Sequence, residues 1–404
     1  MFRRRWSGLP ADPDYPSDLK QLGYFINEDD QIRSIENPKA RFNYYAKKNM
    51  RWNDRRAFAF DEAVSTIIYN RLCELDLTPL RLPLGAPLSS PHVRILSTPM
   101  LETASHVVVI IGSTSRPLGV LSQYALNNFG IDYGSLVPLV RTLLVPAASS
   151  DSDSLSKPGV VLANPGELWW WPEGKRSLTQ TDRHRIPRAS AVHESREHDE
   201  LLNTVPGNRT EAEHVRYVFE EVVAPEVGGR KKVHVIALGD AVGLVEAYLD
   251  DDKVWEQGGG KLGGLLSSLV ILGGYFDASG IKSEYLRRFL KERARAYITS
   301  QRPLDTLLAG PRGNPALTTY HGFGCPVYSA GDQCPMEEMM ALEAMPAYVK
   351  WIEKVARDGD SYLNEEWEVV GQDKTSPAEY ARLQERFEED LKSREELGSW
   401  GGSS

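Results

Sequence analysis

Four short apolar runs in the middle of the chain each end at small, turn-forming residues. They are His106–Ile111, Gly159–Ala163, Val233–Leu238 and Leu269–Leu272, followed by Gly112, Asn164–Gly166, Gly239 and Gly273–Gly274. Strands that are apolar along their whole length are usually covered by helices on both faces. The four runs therefore predict buried strands of a mostly parallel sheet.

Amphipathic helical patterns alternate with these strands. Apolar residues recur at helical spacing in Asp61–Leu75, Thr210–Val223 and Ser283–Tyr297, and Thr210 with Glu213 has the spacing of a capping box. Strands alternating with helices are typical of an α/β fold with a largely parallel sheet.

Outside this core the pattern predicts a hairpin near the N-terminus and a helix near the C-terminus. The hairpin is Tyr24–Ile35, with its turn at Asn27–Asp30. The helix starts at Ser376 and carries one apolar stripe: Tyr380, Leu383, Phe387 and Leu391. The stripe either packs back on the domain or contacts a partner. We divide the chain into an N-terminal arm (1–14), one α/β domain (15–360) and a C-terminal tail (361–404).

Composition excludes several classes of protein. The 404 residues carry a net charge of −9, so the whole molecule does not attract nucleic acid electrostatically. No apolar run approaches the roughly 20 residues of a membrane span. Cys73, Cys325 and Cys334 fit neither a disulfide framework nor a zinc pattern, which favours the cytosol or nucleus. We expect no metal, no cofactor and no membrane association.

The turn after Val233–Leu238 is similar to the nucleophile elbow of α/β-hydrolases. That elbow reads G-x-S-x-G between a strand and a helix, and this chain has Gly239, Asp240, Ala241, Val242 and Gly243. Matching both glycines puts Ala241 in the place of the serine, and matching the helix start puts Asp240 there. Neither register supplies Ser, Cys or Thr. Asp240 is then either a helix N-cap or an aspartate nucleophile.

The other parts of a hydrolase site are incomplete. Gly112 and Ser113, after the first core strand, are the counterpart of an oxyanion loop, whose amides can hold an anion. The triad histidine belongs after the last strand, near Gly322–Tyr328, but the loop that follows contains no histidine. His321 precedes this strand. The elbow and the loop are therefore interpreted as vestigial.

Basic and aromatic residues interleave before the first long helix. The bases are Lys39, Arg41, Lys47, Lys48, Arg51, Arg55 and Arg56, and the rings are Phe42, Tyr44, Tyr45 and Trp52. This composition is typical of a surface that tracks a nucleic-acid backbone and stacks on bases. The alternative is a strand and loop that expose the lysines and bury the rings. Since the protein is acidic overall, we expect weak RNA binding or none in the isolated chain.

Trp169, Trp170 and Trp171 follow the second core strand. Three consecutive tryptophans cannot all face one core, so we expect at least one to be exposed or under a lid. Exposed aromatic side chains are enriched at protein interfaces. The three residues are therefore candidates for partner binding.

Five short motifs together give a resemblance to a known family. They are Leu19–Glu28, Val109–Ser113, Ala163–Trp169, Leu238–Ala241 and Gly322–Gly331. Over roughly residues 15–360 the chain resembles the Argonaute-binding Arb-two domain family, which also occurs at the C-terminus of fungal class II histone deacetylases.

The resemblance implies an α/β-hydrolase-like three-layer sandwich in a nuclear or cytoplasmic protein linked to small-RNA-guided heterochromatin. One family member acts in a chaperone complex that holds Argonaute with duplex small RNA. Animal relatives have a serine at the elbow and a histidine after the Ser-Ala-Gly segment, and this chain departs from both. The resemblance thus implies a non-catalytic subunit with Argonaute-associated or deacetylase-containing partners and, as alternatives, a hydrolase using Asp240 or a protein accessory to a deacetylase complex.

Overall fold

A nine-stranded sheet forms the centre of the protein, with helices on both faces. The computed structural model describes residues 8–144, 157–227, 232–256, 262–273, 277–314, 322–332 and 339–366. The strand order is β12-β13-β11-β10-β9-β5-β6-β4-β3. The six strands from β13 to β6 are parallel, whereas β12 and β4 run opposite to their inner neighbours. This is the predicted α/β-hydrolase-like sandwich.

The strands and helices have the following bounds. The sheet strands are β3 Thr78–Leu82, β4 Val93–Ser97, β5 His106–Ile111, β6 Gly159–Ala163, β9 Lys232–Leu238, β10 Leu266–Leu272, β11 Ala294–Ile298, β12 Leu307–Ala309 and β13 Val327–Ser329; two hairpins add β1 Tyr24–Ile26 with β2 Ile32–Ser34 and β7 Trp169–Trp171 with β8 Arg176–Leu178. The helices are α1 Met50–Glu74, α2 Gln123–Asn128, α3 Val137–Leu144, α4 Gln180–Arg183, α5 Glu211–Tyr217, α6 Ala224–Val227, α7 Ala241–Leu249, α8 Glu284–Arg293, α9 Met340–Glu343 and α10 Met345–Asp358.

Two apolar layers lie on opposite faces of the sheet. Along β5, Val108 and Ile110 pack against α1, α3 and α10, whereas Val107, Val109 and Ile111 pack against α5, α7 and α8. Both sets are fully buried because successive side chains of a strand point to opposite faces. The uninterrupted apolar pattern of β5 is thereby explained.

Most predicted elements are present, but several have different bounds. Strand β10 begins at Leu266 rather than Leu269, and β13 is Val327–Ser329, whereas the last strand was predicted near Gly322–Tyr328. The hairpin and strands β5 and β6 are confirmed. Helix α1 begins at Met50 rather than Asp61, because its first turns bury Arg51, Asn53 and Arg55, which the apolar pattern does not reveal. Helix α8 ends at Arg293, and the residues predicted to complete it form β11.

The helix predicted over Thr210–Val223 is confirmed with an irregular second half. The Thr210 hydroxyl accepts a hydrogen bond from the Glu213 amide at 3.2 Å, as expected of an N-cap. From Val218 to Val223 the helix widens to a π-helical turn before α6.

The two ends of the domain are tied to its body within the described residues. Asp12, in the predicted arm, lies between Arg51 and Arg55 of α1. Asn364, in the predicted tail, donates to the carbonyl oxygens of Lys291 and Ala294. The predicted helix with its stripe Tyr380, Leu383, Phe387 and Leu391, as well as His321 and Cys334, lies outside the described residues. No helix of the described ranges has the length and apolar character of a membrane span.

Candidate functional site

The strand-to-helix turn after β9 has the backbone conformation of an elbow, and its strained residue is Gly239. Gly239 has a φ of +52°, in the left-handed region of backbone conformation that residues with a side chain rarely adopt. Asp240 has ordinary helical angles, and Ala241 is fully buried in the core. In a hydrolase elbow the strained residue is the nucleophile. The structure thus favours a register that neither sequence match considered, with Gly239 in the place of the nucleophile.

The space above Gly239 is open. A Cβ built on Gly239 meets no heavy atom within 4 Å, and the same holds for Gly112 in the opposite loop. A nucleophile's side chain would therefore fit at this position, but glycine supplies none.

The side chain of Asp240 is hydrogen-bonded to the loop that follows β5. Its carboxylate accepts hydrogen bonds from the Thr114 amide at 3.2 and 3.3 Å and from the Thr114 hydroxyl. Asp240 stands at the N-cap position of α7, but its side chain makes no cap hydrogen bond to the helix. Beside it, the hydroxyl groups of Ser113 and Ser115 lie 3.1 Å apart. The carboxylate held by the Thr114 amide in this loop is therefore the protein's own.

This contact lies at the topological switch point of the sheet. From β5 the chain passes to β6 on one side and later returns to β9 on the other. In open α/β sheets, ligands bind in the crevice outside the carboxyl ends of such strands. Because β5 and β9 are parallel neighbours, the loop with Gly112 and Ser113 and the turn with Gly239 and Asp240 lie at the same edge of the sheet.

A network of buried polar side chains lies next to the loop that follows β5. Glu167 accepts from the Leu118 amide and from the Asn164 side chain, both at 2.9 Å. The Asn164 amide donates to Nε2 of His214 at 3.0 Å, while Nδ1 of His214 lies 2.7 Å from the Asn208 side-chain oxygen. Burial lowers the pKa of His214 to about 3, so the ring is neutral and can accept this hydrogen bond. Sequence reasoning missed this network because its members are far apart along the chain.

A small polar cavity of about 110 Å³ adjoins the same loop. Ser115 and Arg116 line one side, and Asp61, Asp182 and Arg185 line another. Burial raises the pKa of Asp61 to about 7, although Arg185 lies 2.9 Å away and favours the charged form. The cavity lining includes no histidine. Among the described residues no group of three or more His, Cys, Asp or Glu side chains could hold a metal ion.

The predicted cluster of bases is divided between the interior and the surface. Arg51 is buried and makes a bidentate ion pair with Asp12, with both N–O distances 2.6 Å. Arg55 is buried as well, with Asp12 at 3.6 Å. Arg56 lies over the Phe42 ring. Lys39, Arg41, Lys47 and Lys48 are exposed, as are the rings of Tyr45 and Trp52, whereas Arg56 is half-buried. The structure therefore does not bring all the bases of the cluster to one surface.

The three tryptophans are packing residues. Trp169 is 1% exposed in a small cluster with Phe58, Leu178 and Ile186. Trp170 is 3% exposed in another cluster, and Trp171 is half-buried under the turn at Gly174. Trp169 and Trp170 therefore offer no exposed ring to a partner, and Trp171 alone of the three is partly exposed. Strand β7 lies between two separate apolar clusters, and the successive rings of Trp169 and Trp170 pack into one each. The sequence alone does not reveal these two clusters.

Comparisons with known proteins find a domain family and several relatives to which this chain is similar. The pattern of the Arb2 domain, the Arb-two domain of the sequence resemblance, matches residues 15–304. The chain is similar to the cotranscriptional regulator ARB2A of Mus musculus, with 21% identity over 84% of this chain and 80% of that protein. It is similar to ARB2A of Homo sapiens as well, with 20% identity over 87% and 83%. No solved structure matches the chain.

Proposed function

This chain belongs to the Arb2 domain family, and from that premise we propose that it is a non-catalytic regulatory subunit of a nuclear, chromatin-related assembly. In the finer form of the proposal the assembly acts in small-RNA-guided heterochromatin silencing, and its partners are Argonaute-associated or deacetylase-containing proteins. The relatives named cotranscriptional regulators support the regulatory part. They do not bear on the RNA-guided part.

The elbow carries the proposal. Acyl-transfer hydrolases need a nucleophile at the strained position, a base beside it and free amides for the oxyanion. Here the strained residue is Gly239, and Asp240 occupies the Thr114 amide. A domain with this turn keeps the scaffold of a hydrolase but lacks the side chain that reacts.

One specific observation favours a second candidate, a hydrolase that uses Asp240. This carboxylate is exposed at the switch point, where substrates of open α/β sheets bind. Against it, both carboxylate oxygens accept hydrogen bonds from Thr114, which reduces their nucleophilicity. An ester intermediate on Asp240 also requires a base that activates water, and the cavity beside the loop is lined by no histidine.

A single set of activity measurements tests both candidates. We expect no stoichiometric labelling of the native chain by a fluorophosphonate probe and no hydrolysis of activated esters above the rate of the denatured chain. The Asp240→Asn variant should behave identically. Stoichiometric labelling of a serine that disappears on denaturation would refute the non-catalytic proposal. Hydrolysis that Asp240→Asn abolishes would establish the second candidate instead.

A further inference from the structure

The N-terminal end of α1 presents aromatic rings and lysines to solvent. Tyr45 is 73% exposed and Trp52 is 41% exposed, while Lys47 and Lys48 are exposed between them in the chain. The ring of Tyr15 meets that of Trp52 edge to face at 6.4 Å. These five residues are called the basic–aromatic end below. Their accessibility distinguishes them from Arg51 and Arg55, which the sequence placed in the same cluster.

Side-chain hydrogen bonds hold the loop that carries the lysines against the helix. Asn53 is buried; its side-chain oxygen accepts from the Lys47 amide at 2.9 Å, and its side-chain nitrogen donates to the Lys47 carbonyl at 2.8 Å. Asn53 directly follows Trp52, so the lysines and the indole share one end of α1. A surface held in this way loses little conformational freedom when it binds a ligand.

Three acidic groups lie around the basic–aromatic end, and two of them, Asp12 and Asp14, lie beside arginines. Asp12 is paired with Arg51 and Arg55, Asp14 lies 3.7 Å from Arg55, and Asp54 accepts a hydrogen bond from the Tyr44 hydroxyl. The first turn of α1 has no acidic residue. The 25-residue helix therefore adds the partial positive charge of its N-terminus to that of Lys47 and Lys48. An anionic partner is favoured here although the whole protein is acidic.

We propose that the basic–aromatic end binds single-stranded nucleic acid, with bases stacked on Tyr45 and Trp52 and phosphates held by Lys47 and Lys48. Exposed rings beside cations suit a flexible strand whose bases are free to stack. A duplex hides its bases and offers only phosphates, and two lysines give little affinity for it. The inference deepens the proposed role in RNA-guided silencing and rests on it for biological meaning, but the binding itself is independent of that role.

Fluorescence anisotropy of the full chain with a labelled oligouridine of about 12 nucleotides tests the proposal. Two phosphate contacts predict a salt slope of about −1.4, which is a roughly sevenfold loss of affinity between 50 and 200 mM salt. Alanine at both Lys47 and Lys48 should flatten this slope. Alanine at Tyr45 or at Trp52 should weaken binding about tenfold while leaving the slope unchanged.

The chain offers a matched control at α8. Tyr285 is 58% exposed and Lys282 is exposed nearby, so alanine at both removes the same side-chain types from another surface and should leave binding unchanged. Thermal melting checks that each variant is folded. Equal binding of a duplex of the same length, or of a polyglutamate peptide, overturns the proposal, as does any variant pattern in which the control matches the Tyr45 change. Failure of strand binding leaves the non-catalytic assignment intact, because the latter is tested by labelling and partner recovery.

Discussion

At the scale of single residues, burial in the fold keeps two histidine side chains uncharged. His106 is buried at the start of β5, and its ring lies 5.1 Å from that of His234 on β9. Burial lowers the pKa of His106 to about 4 and that of His234 well below its usual value. Both rings are neutral at pH 7, at the end of the sheet opposite the elbow.

Because burial keeps His106 neutral, we expect the free energy of unfolding to depend on pH. Between pH 6.5 and 4 the unfolded chain protonates His106 and the native chain does not, so the free energy of unfolding falls as the pH falls. From pH 7 to pH 5 this one group contributes a loss of about 2 kcal/mol. Urea unfolding of the wild type and of His106→Gln at both pH values measures it. An equal change in the two proteins would show that His106 does not titrate in this way.

At the scale of elements, the prediction from sequence succeeded where one physical signal dominated. Strands β5 and β6 are buried at every position, are apolar apart from His106 and end at turn residues, so their bounds were predictable. The start of α1 was not, because Asp12 stabilises its buried arginines from 39 residues away. The register of the elbow was not predictable either. It depends on which residue takes a positive φ, and a Gly-Asp-Ala sequence permits several choices.

The ion pairs between the N-terminal segment and α1 indicate that Asp12, rather than Asp14, attaches the segment to the helix. The side chain of Asp12 is 7% exposed, whereas that of Asp14 is 95% exposed. Although burial alone raises the pKa of Asp12, hydrogen bonds from Arg51 and the Arg188 amide hold it below the usual value. Asp12→Ala leaves two buried guanidinium groups without their partner, and we expect it to cost about 3–5 kcal/mol.

Asp14→Ala is the matched control for this change, since an exposed pair contributes less than about 1 kcal/mol. Denaturant unfolding of both variants gives the difference in free energy. Protection of α1 amides from hydrogen exchange should fall in the Asp12 variant first, at the turns that carry Arg51 and Arg55. If both variants lose the same small amount of stability, the segment before residue 15 is not fastened by this ion pair.

At the scale of the whole molecule, the domain has a hydrolase-like scaffold in which Trp169 and Trp170 are buried. The polar cavity beside the elbow and the network around Glu167 are both internal to the fold. Under the proposal that the domain is non-catalytic, what it offers to an assembly is its surface. Two surfaces remain as candidates: the basic–aromatic end and the C-terminal stripe of Tyr380, Leu383, Phe387 and Leu391.

The last prediction concerns that stripe, because Trp169 and Trp170 no longer qualify as an interface. We expect the tagged full chain to be recovered under mild conditions with a protein partner. Deleting residues 376–404, or replacing Leu383 and Phe387 by Glu, should weaken this association at least tenfold, since apolar anchors at interfaces often contribute about 2 kcal/mol or more. Arg382→Glu is the matched control, because it also changes the net charge by −2 and lies on the opposite side of the same predicted helix from the stripe. The melting temperature of the domain should stay unchanged in all three variants, because a contact with a partner does not stabilise the isolated chain.

If the stripe variants lower the melting temperature instead, the stripe packs against its own domain and the partner surface lies elsewhere. Recovery of the native chain without any partner would contradict the proposed role as a subunit, because that role requires the chain to bind a partner.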